Sequence, residues 1–194
     1  MMSDAARPQR YVSRAGLKLE AALHGFGLDI AGCVCIDFGS HTGGFVDCLL
    51  QHGAARVYAV DPGYGVLNYK LRRDARVVVC ERRNALRFEP PEPADLVTID
   101  VGWTPQRMIL PAARRCLKEG ARGILTLIKP QYEAEASELR SGVVADECLD
   151  AVLRRCRDDI RALHMSIRAE VQSPLEGHGG NREFVWWLTS EPRS

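Results

Sequence analysis

Glycines and acids at two points of the chain have the types and spacing needed to hold a small cofactor. The first set is Asp37-x-Gly39-x-x-x-Gly43-Gly44, which ends an apolar run and precedes a helix-like one. Glycines at such a turn let a ligand approach the backbone closely. The second is Asp61, at the end of the next apolar run. Its carboxylate can accept hydrogen bonds from both hydroxyls of a ribose.

The charge of this turn indicates which cofactor it suits. The dinucleotide fingerprint Gly-x-Gly-x-x-Gly is not met, because Asp37 and Phe38 precede Gly39. An acid here would also repel a pyrophosphate. We therefore expect S-adenosyl-L-methionine, which carries a positive ammonium and sulfonium, rather than NAD. The residues alone also allow Asp37 to be a turn cap and the glycines to serve packing only.

An acid and an amine at two other strand ends suggest a reaction. Asp100 ends the run "LVTID", and Lys129 follows the run "GILTLI" directly before Pro130. Only four of the 26 basic residues are lysines, so arginine is the usual choice of this chain. Lysine, unlike arginine, can lose its proton in a protein and then act as a base. We interpret Lys129 as a candidate base, with the alternative that it is a surface residue ending a strand.

These residues require elements that bring several strand ends to one edge. The chain alternates short runs rich in β-branched residues with helix-like runs, which predicts a parallel sheet covered on both faces. Strands are predicted over 33–39, 55–61, 76–81, 94–100, 123–130, 164–171 and 182–189, and helices over 13–27, 43–53, 65–74, 105–120 and 146–163.

Together these elements predict the fold class. It is a doubly wound α/β protein with a mostly parallel seven-stranded sheet, whose last two strands form an antiparallel hairpin. For the first helix, Ser13 is the predicted N-cap, and Gly25 or Gly27 the predicted end. We expect residues 1–10 to be a disordered tail and 11–194 to be one domain.

Composition excludes several classes of protein. A chain of 194 residues can bury a full core, and its net charge of +1 leaves any basic surface local. Seven cysteines without a Cys-x-x-Cys pair indicate free thiols in a reducing compartment, the cytoplasm, and no metal site. The polar start is no secretory signal, and no apolar run has the roughly 18 residues of a membrane span.

Several motifs in order resemble a known family. The segments "RYVSRAGLKLEAAL", "IDFGSHTGGFVDCLL", "VYAVDPGYG", "VTIDV", "LIKPQYEA" and "GNREF" are similar to those of the TlyA/hemolysin-type ribosomal RNA 2′-O-methyltransferases. These have an FtsJ-like (RrmJ) domain of the Rossmann-like methyltransferase type. The resemblance runs from about Tyr11 to Leu188. Family members carry a small RNA-binding domain before the "YVSR" motif, and we expect this chain to lack it.

The resemblance implies functional residues. A Lys-Asp-Lys-Glu catalytic set falls on Lys18, Asp100, Lys129 and Glu183. Adenosylmethionine contacts fall on Gly43, Phe45, Asp61, Asn84 and Asp100, to which the glycine turn adds Asp37 and Gly39. Asn84 would read the adenine.

The implied reaction is methyl transfer to a ribose 2′-hydroxyl of RNA, with ribosomal RNA or a ribosomal subunit as partner. Our hypothesis is that Lys129 helps deprotonate the hydroxyl, that Asp100 and Glu183 orient Lys129, and that Lys18 steadies the substrate. Trp103 and Tyr132 could stack a base, whereas Trp186 and Trp187 are expected to pack on the sheet. Candidates for phosphate contacts are Arg10, Arg14, Arg72, Arg73, Arg82 and Arg83.

Two other functions stay open from the sequence. One is a non-catalytic, adenosylmethionine-binding accessory protein. The other is a methyltransferase acting on a small molecule. The sequence has neither a membrane span nor an amphipathic barrel pattern that would support an action on membranes.

Overall fold

The computed structural model describes residues 10–190, without the side chain of His178, so the expected tail at 1–10 lies almost entirely outside the described residues. Its helices and strands are, in chain order, α1 Ala15–Phe26, β1 Val34–Phe38, α2 Gly44–Gln51, β2 Arg56–Asp61, α3 Tyr69–Arg72, β3 Val77–Glu81, β4 Leu96–Ile99, α4 Gln106–Arg115, β5 Gly123–Ile128, β6 Leu139–Arg140, β7 Val143–Val144, α5 Asp146–Ala162, β8 Met165–Gln172 and β9 Phe184–Ser190.

Seven strands form one sheet in the order β3-β2-β1-β4-β5-β9-β8. The first five in this order are parallel, and β9 runs antiparallel to both β5 and β8. The predicted fold class and the predicted terminal hairpin are therefore confirmed. Strand order reverses between β1 and β4, and a crevice at the carboxyl ends of strands is expected at such a point.

Side chains along each strand point alternately to the two faces of the sheet, so the core consists of two clusters, one on each face. In β1, Ile36 and Phe38 pack in the cluster that includes α4 and α5, whereas Cys35 packs in the cluster that includes α1 and α2. Burial of each large apolar side chain contributes roughly 1.5–3 kcal/mol. The two clusters hold both helical layers against the sheet, so the strand ends have fixed positions.

The predicted helix starts and lengths hold only in part. In α5 the expected apolar face is buried, with Leu149, Val152, Leu153, Cys156 and Ile160 inside. The helix predicted over 65–74 is a single turn, α3, capped by the Asn68 side chain, which accepts a hydrogen bond from Lys70 N. It begins only after Asn68, whose backbone at φ −57° and ψ 138° is extended, so residues 65–68 lie outside the helix.

The start of α1 differs from the prediction, whereas its end agrees. The N-cap is Arg14 without a side-chain cap, not Ser13, and left-handed Gly27 is the C-cap. The preceding segment is held by the buried carboxylate of Asp47, which accepts a hydrogen bond from Val12 N at 2.9 Å. This anchor turns the Ser13 side chain toward Gly44 of α2. None of the helices within residues 10–190 combines the length and the apolar composition of a membrane-spanning segment.

Candidate active site

A cleft of about 950 Å³ opens at the carboxyl ends of β1, β2, β4 and β5. Its size is that of a typical small-molecule site. Six of the seven residues predicted to contact a cofactor line it, namely Asp37, Gly39, Phe45, Asp61, Asn84 and Asp100. Lys129, Trp103 and Tyr132 line it as well. The structure therefore brings six of the seven predicted cofactor residues and two of the four predicted catalytic residues, Asp100 and Lys129, into one cavity.

The two glycines of the first loop have different roles. Gly39 has φ 83°, and a Cβ there would collide with the backbone carbonyl of Asp100, so only glycine allows the two strand ends to come so close. Gly43, at φ 100°, is the N-cap of α2, and a Cβ there would collide with Leu71. Gly43 is not among the residues that line the cleft, and its lack of a side chain leaves room for Leu71 of α3; its predicted contact with a cofactor stays a prediction.

Asp37 is the most unusual group in the cleft because its carboxyl is almost completely buried. Its Oδ1 accepts a 2.6 Å hydrogen bond from the hydroxyl of Thr98 on the neighbouring strand β4. Its Oδ2 has no hydrogen-bond partner within the described part of the chain. Burial, opposed by the Thr98 hydrogen bond and assisted by the charges of Asp100 and Asp61, raises the pKa of Asp37 to about 7. A positively charged donor placed here would satisfy the free oxygen.

Asp61 ties together two loops at the cleft. Its Oδ2 accepts a hydrogen bond from His41 N at 2.9 Å, and its Oδ1 accepts one from Gly63 N at 2.7 Å. His41 adopts a left-handed φ of 45°, which this contact helps to hold. Each carboxylate oxygen keeps capacity for a second hydrogen bond, so Asp61 can still bind hydroxyl groups of a ligand.

Asn84 lies at the opposite end of the cleft, after β3. Its Oδ1 accepts a hydrogen bond from Leu86 N at 2.9 Å and caps a short 3₁₀ turn over Ala85–Arg87. This bond fixes the orientation of the side chain, and its amide NH₂ group has no hydrogen-bond partner among residues 10–190. The position agrees with a polar contact to a base edge but equally with turn capping.

Lys129 and Asp100 form an ion pair at the mouth of the cleft. Lys129 Nζ lies 2.6 Å from Asp100 Oδ1, and both side chains are less than one-fifth exposed. Lys129 directly follows β5 and Asp100 directly follows β4, and these strands are parallel neighbours. The predicted meeting of an acid and an amine at adjacent strand ends is what the sheet produces.

Lys18 and Glu183 form a second, buried ion pair. The Lys18 side chain is 9% exposed and that of Glu183 3%. A Cβ at Gly177 would collide with the Glu183 carboxylate, so glycine there leaves room for the pair. Glu183 thus pairs with Lys18 and not with Lys129 as hypothesised. Lys18 does not line the cleft, because α1 docks it against the β8–β9 side of the fold.

The two ion pairs are nevertheless neighbours in the sheet. Ile128 of β5 is paired with Phe184 of antiparallel β9. The next pair in this register is Lys129 and Glu183, one residue beyond the end of each strand. The four residues of the implied catalytic set therefore occupy one end of the sheet as two ion pairs.

Two aromatic side chains flank the Lys129–Asp100 pair. Trp103 is 86% exposed, has a left-handed φ of 61°, and lies with its ring centroid 5.0 Å from that of Tyr132. Lys129 Nζ is 6.0 Å from the Tyr132 ring. Trp103 therefore presents an exposed ring at the cleft, in a left-handed backbone conformation that a bulky residue seldom adopts. Trp186 is fully buried and Trp187 stacks on Phe26, as expected for sheet packing.

The predicted phosphate-binding arginines differ in availability. Arg10 pairs with Glu20 and Arg72 with Glu81. Arg82 lies 4.2 Å from the ring of Tyr64, and Arg73 lies 5.6 Å from that of Tyr69, so both remain at the surface with an aromatic neighbour. The exposed members of the set are Arg10, Arg14, Arg73, Arg82 and Arg83.

Sequence reasoning missed the wall of the cleft that precedes α1. Ser13 and Ala15 line the cavity, because the Asp47 carboxylate fixes the segment before them onto α2. It also missed Thr98, the partner of Asp37. The register Asp37–Thr98 between β1 and β4 could have identified Thr98, had the order of the strands been known.

Comparison with known proteins adds a family context. The sequence profile of the FtsJ-like methyltransferase family matches residues 11–190. YqxC of Bacillus subtilis is 44% identical over 190 residues, which cover 93% of this chain and 66% of YqxC. The 16S/23S rRNA (cytidine-2′-O)-methyltransferase TlyA of Mycobacterium tuberculosis is 40% identical over 190 residues, which cover 93% of this chain and 69% of TlyA.

A solved structure has the same fold. A hemolysin-type protein from Streptococcus thermophilus superposes with a TM-score of 0.89 at 38% identity, over 94% of this chain and 68% of that one. The chain spans about two thirds of the length of these relatives.

Proposed function

The chain belongs to the FtsJ-like methyltransferase family, and from that premise we propose that it is an adenosylmethionine-dependent methyltransferase acting on a ribose 2′-hydroxyl of RNA. Ribosomal RNA, free or in a ribosomal subunit, is the proposed substrate. The relative TlyA of Mycobacterium tuberculosis is named for this reaction on 16S and 23S rRNA. The free cysteines agree with a reducing, cytoplasmic location.

The observation that carries the cofactor is the buried, unpartnered Oδ2 of Asp37. A buried polar atom without a partner costs free energy, and a charged one costs more. Asp61 and Asp100 add negative charge in the same cleft. A cationic ligand such as adenosylmethionine relieves this cost, whereas a dinucleotide pyrophosphate would increase it.

The cofactor residues divide by the chemistry that each offers. Asp37 would accept hydrogen bonds from the ammonium group, and Asp61 from the ribose hydroxyls. Asn84 would contact the adenine edge, and Phe45 lines the apolar part of the cleft. When bound, adenosylmethionine supplies an electrophilic methyl group on a sulfonium.

Lys129 and Asp100 are placed to prepare the acceptor. The 2′-hydroxyl must lose its proton as its oxygen becomes the nucleophile. Lys129 Nζ, in its amine form, accepts that proton, and the carboxylate of Asp100, 2.6 Å away, stabilises the ammonium that results. The pair also orients the oxygen, since positioning is a major part of a displacement reaction. Lys18 and Glu183 do not contact the substrate in this proposal. Their ion pair fixes the end of β9 next to Lys129.

Trp103 and Tyr132 form the proposed platform for the target nucleotide. The Tyr132 ring lies 6.0 Å from Lys129 Nζ and Trp103 packs on Tyr132, so a base stacked on these rings would bring its ribose close to the pair. Stacking of a base on an aromatic side chain contributes roughly 1–3 kcal/mol. The exposed arginines Arg14, Arg82 and Arg83 supply positive charge for phosphates.

A methyl-transfer assay tests this function. The protein is incubated with adenosylmethionine carrying a tritiated methyl group and with rRNA, intact ribosomal subunits, DNA of the same sequence, or a small-molecule extract. We expect label in RNA and none in DNA, which lacks the hydroxyl. Alkali must leave the labelled linkage intact, because a 2′-O-methyl group prevents attack on the neighbouring phosphate. Label only in the extract, or on an RNA base, would contradict the proposal.

A further inference from the structure

Glu20, His24 and His52 form a cluster away from the cleft. Glu20 and His24 are one turn apart on α1, and His52 is the C-cap of α2. One ligand atom of each residue lies within 4.8 Å of the other two. The two imidazole rings meet edge-on, with centroids 5.6 Å apart at 62°. Within residues 10–190, no other group of three metal-ligating side chains comes this close together. From this geometry we propose a binding site for a zinc-type divalent transition metal.

The ligand set suits zinc. Two histidines and one glutamate are among the three-ligand sets that zinc uses, with water in the fourth position. In tetrahedral zinc the ligand atoms are about 3.3–3.6 Å apart, which follows from bond lengths of about 2.0–2.2 Å. Rotamer adjustments of about 1–1.5 Å would therefore close the site, whose ligand atoms lie within 4.8 Å of one another. His24 is exposed and can make such a movement.

A hydrogen bond to the ring of His52 sets the tautomer that a metal requires. His52 Nδ1 lies 2.9 Å from the backbone carbonyl of Cys48. A carbonyl can only accept, so Nδ1 carries the proton and Nε2 keeps its lone pair. Metal-binding histidines characteristically donate their second ring N–H in this manner. The ring is therefore held in the form in which Nε2 can coordinate.

The surroundings of Glu20 and His24 provide both access and a competitor. Both residues line a surface cavity of about 350 Å³, together with Leu17, Pro174 and Leu175. Glu20 is nearly buried, and its carboxylate contacts the guanidinium of Arg10, whose side chain is 57% exposed. A metal would replace Arg10 as the positive partner of Glu20, and the guanidinium, which is already largely exposed, can turn into solvent.

The site joins two helices that serve the cleft. Helix α1 carries Lys18, and α2 begins at Gly44 in the wall of the cleft. A bound metal would cross-link the two helices and stabilise their packing. The metal does not take part in methyl transfer, since none of its three ligands lines the cleft. The absence of a metal site was predicted from the cysteines alone. The three ligands proposed here are not cysteines, and His52 is far in the chain from Glu20 and His24.

Zinc titration against a chromophoric chelator tests the site. Metal-free protein is titrated with Zn²⁺ alone, using the parent, His24→Gln, His52→Gln and the control His164→Asn. His164 is an exposed histidine with a left-handed φ of 55°, which asparagine tolerates. We expect one zinc equivalent in the parent and in the control. Both cluster variants should bind it more weakly, by more than the roughly 10–100-fold that follows loss of an outer-shell partner.

Equal zinc stoichiometry and affinity in the parent and in both cluster variants would overturn the site. The comparison separates the site from thiol binding, because the seven cysteines are the same in every variant. Circular dichroism in the presence of chelator establishes that each variant is folded.

A second measurement needs no substitution at a ligand. Zinc should raise the midpoint of thermal unfolding of the parent, and Arg10→Gln should tighten zinc binding by up to roughly fivefold, because the competing cation is gone. Anomalous diffraction from zinc-soaked crystals should show a peak between Glu20, His24 and His52. A peak only at half-exposed Cys80 or Cys148 would contradict the proposal.

Discussion

Lys18 and Glu183, 165 residues apart in the chain, form an ion pair that is almost entirely closed to solvent. Breaking such a pair from one side leaves an uncompensated buried charge, which costs about 3–5 kcal/mol. We therefore predict that Lys18→Met lowers the free energy of unfolding by about this amount, measured by urea denaturation. Lys118→Met, at a half-exposed lysine paired with Asp95, is the control and should cost less than about 1 kcal/mol.

The double variant Lys18→Met/Glu183→Gln distinguishes a pair from two independent residues. It should be more stable than Lys18→Met alone, because the isolated carboxylate has been neutralised. Additive losses in the double variant would mean that the two charges do not interact.

Asp37 should make the stability of the cofactor-free protein depend on pH. Its pKa is about 7 when folded and near 3.8 in a flexible chain, so the folded state binds a proton more tightly. Stability contributed by this proton is present below pH 4 and is lost as the pH rises to 7. Asparagine cannot ionise, so Asp37→Asn does not lose this stability as the pH rises. The variant should therefore gain up to about 4 kcal/mol relative to the parent between pH 4 and 8.

The affinity for the cofactor should rise with pH, whereas the stability of the cofactor-free protein falls. An ammonium group at Oδ2 favours the ionised carboxylate, so the affinity of the parent for adenosylmethionine should rise with pH through 7. Calorimetry across this range checks it, with Asp37→Asn as reference. A flat affinity in the parent would show that the ammonium does not contact Asp37.

Asp61→Asn should weaken adenosylmethionine binding by about 1–3 kcal/mol, the cost of losing a charged hydrogen-bonding group. Asparagine has nearly the same shape but can accept from only one of His41 N and Gly63 N, so the loss includes one loop contact. Binding is measured by calorimetry, and circular dichroism monitors the fold. Unchanged affinity in a folded variant would remove Asp61 from the ribose site.

Trp103→Asn should raise the KM for RNA without changing the affinity for adenosylmethionine. Trp103 is exposed, and asparagine accepts its left-handed backbone, so the free energy of unfolding should change by less than about 0.5 kcal/mol. Loss of one stacked base corresponds to roughly 1–3 kcal/mol in RNA affinity. An unaltered KM with full activity would show that the target base stacks elsewhere.

The sequence predicted the strand ends well and the contacts between distant residues poorly. Asp61, Asp100 and Lys129 were identifiable because each is a polar residue at the end of an apolar run in a parallel sheet. Lys18 and Glu183 resemble solvent-exposed residues locally, and their pairing depends on where α1 docks. That docking is set by tertiary packing, which spacing along the chain does not reveal.

Glycine positions illustrate the same limit. Both Gly39 and Gly43 fit a ligand-binding turn in sequence, and both have positive φ. Gly39 faces the cleft, whereas Gly43 makes room for Leu71 of α3, a helix that was itself predicted too long. A left-handed glycine can be recognised from sequence, but what comes close to it cannot.

The central claim is that Lys129 transfers a proton, and methyl transfer by Lys129→Arg tests it most directly. Arginine keeps the positive charge that the resting ion pair places next to Asp100, but it cannot give up its proton and therefore cannot accept one from the hydroxyl. We predict that cofactor affinity and the free energy of unfolding stay at parental values while the rate on RNA falls by roughly 10²- to 10⁴-fold. Lys118→Arg is the matched control and should retain the parental rate. Methylation by folded Lys129→Arg at close to the parental rate would contradict the account.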